Sequence, residues 1–418
     1  MKVSALDEGG KPVDWFFIYK VPKLGAGANT DATTGYEYVY YDSGIDQQPV
    51  AKRLIEKSPY VLNSDKGALN LTLDSVFNNP SSTTGWILYN DERPLGIPGH
   101  DDSNLGHTKG VLAFDTSTQT GYWLLHSWPK FAEPHAKADP TPMYGQTYLC
   151  LSLDLDTLER IADQMITHQQ PQTYLPRVVN LDKDSALYKL AQTINPNAPG
   201  ASNSLDLKTI GGQAFKVIAK NRDWAKDFWN GLVGPTLGED MDVDTWIRGE
   251  VPPISDTDGI HKTYDIKYIN LGPLGIHMAW PETHDHAKWG ITMHSNWVCV
   301  GDINRMISQR KRGGGAICMQ NEALWRGLSR TDLLLAPPGL TRNQARKLIH
   351  DTHYDPSDPV GSSPPPKIPS MTYTLPRDPA TYRGKVATVA TKRARKTPLK
   401  NAAKKASAKK STRKRGGR

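Results

Sequence analysis

The chain has 418 residues, 38% hydrophobic and 22% charged, with a formal net charge of +8. That length can bury a large core and divide into two or three units. No run of about 18 or more apolar residues appears, so no membrane-spanning helix is expected, and the opening MKVSALDEGGKPVDW lacks the apolar stretch of about 7–15 residues of a secretory leader, which leaves the compartment open. The charge is uneven. Arg383–Arg418 holds 15 Lys and Arg and no Asp or Glu, so residues 1–382 carry 36 basic and 43 acidic residues, formally −7, and all 12 His. Protonating every His would move that body from −7 to +5. Unperturbed His titrates near pH 6.5, so mildly acidic solution favours a polyanionic partner. Three cysteines do not make a disulfide framework; Cys299 and Cys318 flank the basic loop RKRGGG and can either bridge or stay, with Cys150, as buried thiols.

Along the chain, Val13–Lys20 (VDWFFIYK) and Tyr36–Asp42 (YEYVYYD) are rich in β-formers and predict strands. A short helix is expected over Gln48–Lys57, and strands at Leu69–Leu73 and Trp86–Tyr89. A Pro- and Gly-rich linker, Glu92–Gly106, delivers the chain to His107. GVLAFD, a turn at Thr116–Thr120 and GYWLLHS then form a hairpin that carries His126. Asp154–Gln169 places apolar residues at 158, 161, 162 and 165, with acidic residues in its first turn, and predicts a helix. A short helix is expected near Ser185–Ile194, a strand at Gln213–Ala219, a short helix at Asp223–Val233, an acidic loop over Gly234–Val251, and strands at Thr263–Ile269 and Ile276–Trp280. Asn321–Gly327 and Thr341–Asp351 read as helices. Beyond about Tyr354 the composition turns to Pro and Ser and then to Lys, Arg, Ala and Thr, too poor in apolar residues to offset chain entropy, and predicts disorder over 355–418.

One pattern occurs twice. HTKGVLAFD…GYWLLHS and HAKWGITMHSNWVCVGD each give His-x-Lys, a strand, a turn and an aromatic-led strand ending in polar residues. In extended backbone, residues two apart share a face, so His107 with Lys109 and His286 with Lys288 each set an imidazole beside an ammonium. The echo predicts two similar halves, residues 1–170 and 171–354, that bring both pairs to one cleft. Two imidazoles can divide nucleophilic attack and protonation of a leaving oxygen, while lysines and an asparagine hold phosphate oxygens. A lone His-x-Lys is usually a solvated pair; two in matching contexts, the second followed by Gly301-Asp302-Ile303-Asn304, point to phosphodiester chemistry. Asp285, Asp302 and Ser127 are supporting candidates, with the two aspartates read first as turn residues. Trp289 reads as core, with base stacking as the alternative. His284 and His294 near His286 raise a metal alternative, set aside for want of a third ligand at standard spacing; no metal or cofactor is expected.

These motifs carry a resemblance. Gly106–Val111 (GHTKGV), His126–Pro129 (HSWP), Tyr144–Thr147 (YGQT), Asp285–Trp289 (DHAKW), Cys299–Arg305 (CVGDINR) and Arg312–Gly315 (RGGG), with Pro12–Phe16 and Leu88–Asp91, resemble the deoxyribonuclease II family over roughly Gly10 to Leu340. The resemblance implies a phospholipase D-like α/β fold, a pseudo-dimer of halves with central mixed β-sheets flanked by helices. It implies metal-independent cleavage of double-stranded DNA at acid pH to 3′-phosphate and 5′-hydroxyl ends. It makes His107, His126 and His286 the essential imidazoles, with Lys109, Lys288 and Asn304 around the phosphate. Which of His107 and His286 is nucleophile is left open, with His107 preferred. The aspartate that phospholipase D-type motifs place after the lysine is replaced by Phe114 and Met293, so backbone or other carboxylates must orient the rings. Cys299–Cys318 fits a disulfide of the family, whereas the partner expected for Cys150 is absent and Ser4 stands there. The missing leader and the basic tail depart from animal members and imply a bacterial or divergent one. The tail resembles linker-histone ends and implies sequence-independent phosphate contact. A non-DNA phosphodiester substrate, a non-catalytic DNA-coating protein and a homodimer remain alternatives.

Overall fold

The computed structural model describes residues 2–335 apart from residues 28–29, 79, 100, 133–142, 194–201 and 254–259. Two large sheets dominate. The first has eight strands: β1 (Trp15–Lys20), β2 (Tyr38–Asp42), β3 (Glu56–Lys57), β4 (Thr84–Asn90), β5 (Lys109–Asp115), β6 (Thr120–His126), β7 (Gln146–Asp154) and β8 (Thr173–Arg177). Their order is β3-β2-β1-β7-β6-β5-β4-β8, antiparallel throughout. The second holds β9 (Ser202–Lys208), β10 (Ala214–Lys220), β11 (Met241–Thr245), β12 (Thr263–Asn270), β13 (Ala279–Pro281), β14 (Lys288–Thr292), β15 (Trp297–Gly301), β16 (Gly314–Gln320) and β17 (Asp332–Leu335). Its order is β13-β12-β11-β14-β15-β16-β10-β9, with β17 on β12 and only β11–β12 parallel. The architecture is mixed α/β with few helices.

Strand alternation builds the layers. Phe17 and Tyr19 of β1 enter one core and Phe16 and Ile18 another. The first core joins inner faces of both sheets, with Leu112, Trp123 and Leu149 meeting Val217, Trp289 and Ile317. The outer face of the first sheet is covered by α2 (Ala68–Phe77), after the single-turn α1 (Ser43–Asp46). That of the second is covered by Phe228, Trp229 and Val233, just ahead of α5 (Gly234–Leu237). Between them in sequence lie α3 (Leu155–Gln164), whose π-helical turn Met165–Gln169 follows directly, and α4 (Ala186–Ala191); α6 (Glu322–Thr331) closes the second sheet. Asp154 caps α3 by accepting from Thr157 N at 2.8 Å, and Asn321 caps α6 by accepting from Leu324 N at 2.8 Å.

Several elements differ from expectation. Leu69, Leu71 and Leu73 alternate like a strand, yet α2 buries 68, 69, 72, 73, 76 and 77, a helical period. Residues 48–57 give one 3₁₀ turn, Val50–Lys52, and the short β3; Val50 and Leu54 are exposed, so no apolar face exists to hold a helix. Asp223–Val233 forms a 3₁₀ turn at Arg222–Trp224 and a π turn at Trp229–Val233. The acidic 234–251 stretch contains β11, an interior strand whose Asp242 and Asp244 are buried. β7, β8 and β9 had no expectation attached. The 341–351 helix and the tail fall outside the described residues.

Both sheets contain the same run of neighbours around their His-x-Lys lysine. β1-β7-β6-β5-β4 in one and β10-β16-β15-β14-β11 in the other place Lys109 and Lys288 at the first residue of β5 and β14. In each case a hairpin partner follows, then a third strand, then a capped helix.

Candidate active site

Each His-x-Lys segment is tied down by the opposite sheet. His107 N donates to Gly313 O at 2.8 Å, and Lys109 N to Asp302 Oδ1 at 3.4 Å. Reciprocally, His286 N donates to Gly145 O at 2.9 Å, and Lys288 N to Thr147 Oγ1 at 3.3 Å. The straps 144–147 and 312–315 enter β7 and β16, so the strap of each sheet reaches across to the other. Both depend on glycine: a Cβ at Gly145 would lie 2.5 Å from Asp285 Oδ1, and one at Gly313 would overlap the Gln169 carbonyl. Buried ammoniums at the ends of β1 and β10 hold the straps, Lys20 Nζ donating to Tyr144 O and Lys220 Nζ to the carbonyls of Gln309, Arg310 and Arg312. Burial lowers Lys220 to about 7.

The His107 ring has its Nδ1 2.6 Å from the Asp302 carbonyl oxygen. A carbonyl only accepts, so Nδ1 carries the proton and the Nε2 lone pair is free. Asp91 stands 3.7 Å from Nε2 and is bound by Lys109 Nζ and, at 3.2 Å, by Arg312 Nη2. Burial opposes an ionised Asp91, but positive charge at His107, Lys109 and Arg312 outweighs it and holds the carboxyl well below its usual range. Burial also pushes His107 well below an ordinary imidazole, so the lasting cations on Asp91 are Lys109 and Arg312.

His286 is driven down by burial and then by Lys288, Lys109, Arg248 and His107, which places the two pairs within electrostatic reach of one another. Lys288 donates to His286 O at 2.8 Å, and burial followed by Lys109 lowers its ammonium to about 7. Tyr144 stacks on the His286 ring at 4.0 Å and Trp246 lies against it at 4.0 Å. His126, at the end of β6, is buried; its Nδ1 accepts from Trp128 N at 3.2 Å, and burial followed by the Lys109 charge lowers it to about 3. The Nε2 atoms of His126 and His286 and Oδ1 of Asn304 are buried without a hydrogen-bond partner.

A profile of the family described as Deoxyribonuclease II matches residues 4–337. "Putative deoxyribonuclease-2" of Burkholderia pseudomallei (strain 1710b) is 60% identical over 353 residues, 84% of this chain and 99% of that one. "Plancitoxin-1" of Acanthaster planci is 32% identical, covering 76% of this chain and 88% of its own, and "Deoxyribonuclease-2-alpha" of Rattus norvegicus is 31% identical, at 78% and 91%.

The chain belongs to the deoxyribonuclease II family.

Within this family frame the supporting candidates separate. Asp302 positions His107 through its backbone and Lys109 through its carboxylate, which burial raises to about 8. Ser127 accepts from Thr147 N at 2.9 Å and donates to Gln146 Oε1 at 2.6 Å, bracing the 144–147 strap. Asp285 touches no imidazole: its carboxylate accepts from Tyr19 Oη, Trp280 Nε1 and Ala287 N. Trp289 is fully buried against Tyr19, which overturns its base-stacking alternative. Cys299 and Cys318, directly opposite on β15 and β16, form a disulfide, and Cys150 is a buried free thiol. Among the described residues no helix is long and apolar enough to cross a membrane. Sequence reasoning missed Asp91, Arg312, Tyr144, Trp246, Arg248, Lys20 and Lys220 as parts of the site. A lysine closing an otherwise apolar strand, in FFIYK and again in KVIAK, was the available signal for the last two.

Proposed function

We propose that this deoxyribonuclease II family member is an acid, metal-independent DNA endonuclease working through a phosphohistidine. The observation that carries the reading is the fixed tautomer of His107, with a free Nε2 lone pair beside Lys109 and within electrostatic reach of His286 and Lys288. His107 Nε2 attacks phosphorus, the P–N bond forms and the P–O5′ bond breaks, and His286 gives its Nε2 proton to O5′. Water then enters with His286 as base, which restores His107 and leaves 3′-phosphate and 5′-hydroxyl ends. Lys109, Lys288 and Asn304 hold the non-bridging oxygens, and His126 supports the phosphate from beside Lys109.

The matching strand orders support a phospholipase D-like pseudo-dimer of halves 1–170 and 171–354. In this reading the 15 positive charges of Arg383–Arg418 add nonspecific phosphate contacts. The deciding experiment is nicking of supercoiled plasmid in excess EDTA across about pH 4–8, a range that brackets His titration. Nicking should persist near pH 5 and fall steeply toward neutrality; loss on chelation at every pH overturns the mechanism.

A further inference from the structure

The two imidazoles sit in unlike surroundings. His107 is fixed by a carbonyl on Nδ1, and among the described residues no aromatic ring packs on it. His286 sits in an aromatic corner. Tyr144 lies parallel to it, 10° between planes at 4.0 Å, and Trp246 closes a neighbouring side at 4.0 Å and 48°. The Tyr144 and Trp246 centroids are 6.4 Å apart with 58° between their planes, so the two rings flank the imidazole on different sides. Arg248 pins the corner from outside, its guanidinium 5.0 Å over Trp246 and its Nη2 3.3 Å from Tyr144 Oη. By contrast, His126 meets Phe131 edge-on at 73° and 5.3 Å, and Tyr148 at 5.8 Å.

Aromatic faces are electron-rich and stabilise a cation laid against them. The charged groups facing His286 are Lys288, Lys109, Arg248 and His107, and all oppose its protonation in the free protein. The carboxylate of Asp285, its chain neighbour, is committed to Tyr19, Trp280 and Ala287 and cannot offset them. A phosphodiester on Lys109 and Lys288 offsets the charge of those two lysines; burial and Arg248 still oppose the imidazolium, and the two rings stabilise it against them. At His107 the nearby Asp91 is already neutralised by Lys109 and Arg312, while the Asp302 carbonyl holds the Nε2 lone pair free. We propose that Tyr144 and Trp246 are positioning residues that clamp His286, stabilise its imidazolium and so make it the proton donor while His107 attacks. The proposal rests on the phosphohistidine reading above and assigns the roles within it.

The test compares leaving groups in single turnovers. A thymidine dinucleotide needs its 5′-oxygen protonated; thymidine 3′-(4-nitrophenyl phosphate) releases a nitrophenolate that needs no proton. Removing the clamp should destabilise the imidazolium of bound His286 and slow cleavage on the basic limb about tenfold. Trp246→Leu and Tyr144→Leu should therefore slow dinucleotide cleavage about tenfold and move the basic limb of the kcat–pH profile to lower pH, with a far smaller loss in the nitrophenolate burst. Trp246→Phe should restore both the rate and the limb. His286→Ala should lose the dinucleotide reaction and retain a single-turnover burst. Equal losses on both substrates with an unmoved limb would overturn the clamp, and so would His107→Ala keeping the burst while His286→Ala loses it. Failure of the underlying reading is separable: wild-type protein would then show no burst and no acid-labile phosphoenzyme.

Discussion

The Nδ1 of His107 donates to the backbone carbonyl of Asp302 across 195 residues of sequence, at 2.6 Å. A main-chain atom thus does what a carboxylate does in many His-dependent sites: it fixes one tautomer and aims the other nitrogen. A backbone carbonyl cannot take the imidazole proton, so orientation survives at acid pH where a carboxylate partner would begin to titrate.

Removing either imidazole should end turnover. His107→Ala and His286→Ala are each expected to reduce plasmid nicking by at least about 10²–10⁴, with circular dichroism and thermal transition unchanged within a few degrees. Nicking by the double variant at wild-type rate would rule out this pair.

Asp91 is expected to act as counter-charge. In Asp91→Asn, the buried Lys109 and the largely buried Arg312 lose their shared carboxylate. Breaking a buried pair from one side costs about 3–5 kcal/mol, which urea titration would register as a lower midpoint at unchanged slope. Retention of the wild-type midpoint would show that the cations find another partner.

Asp302 gives a pH-dependent signature. Its folded pKa is raised to about 8, so the folded protein keeps a proton that the unfolded chain releases near pH 4. The resulting stability is present below pH 4 and declines as pH rises through 8. Asn does not titrate; its amide loses one of the two backbone N–H bonds that the Asp302 carboxyl accepts, a cost that does not vary with pH. Asp302→Asn should therefore gain on wild type by up to about 1.4 kcal/mol per pH unit between pH 5 and 8. A gap that stays constant over that window would place the Asp302 pKa at its ordinary value.

The Cys299–Cys318 bridge closes a loop of sequence separation 19 that includes Asp302, Asn304 and Gly313. By loop entropy it is worth about 3 kcal/mol. Cys299→Ser with Cys318→Ser should lower the melting temperature by several degrees and make it insensitive to reductant. Unchanged melting would argue that β15 and β16 pairing alone holds the loop.

Deleting Arg383–Arg418 should weaken DNA binding most at low salt and flatten the slope of log K against log salt by about 0.9 for every phosphate that the tail neutralises. Nicking by the truncated chain should persist, since both His-x-Lys pairs lie before residue 336. An unchanged slope would show that the tail does not touch DNA.

Both His-x-Lys pairs were legible in sequence because the same short pattern occurs twice. β1, β2, β4, β5 and β6 were legible because their apolar and aromatic runs are bounded by turns. α2 was not, since its three leucines satisfy a period of two as well as a helix. β11 was hidden because Asp242 and Asp244 read as solvent-facing, whereas both are buried and Tyr19 Oη of the first sheet donates to Asp244 Oδ2 at 3.0 Å. Trp246 and Arg248 looked like loop residues: their role depends on the strap that brings Tyr144 to His286, a contact spanning more than a hundred residues. Long-range contacts of that kind leave no local periodicity to read.

The crossed straps carry a consequence for the cell that makes this chain. A ribosome releases the first sheet, with His107, Lys109 and His126, well before Asp302 and Gly313 exist to hold them. Until β16 is synthesised and docked, His107 lacks the carbonyls of Asp302 and Gly313 that orient it. Assembly of the site thus waits on the second sheet, and a chain that ends before Asp302 and Gly313 lacks the backbone atoms that hold His107.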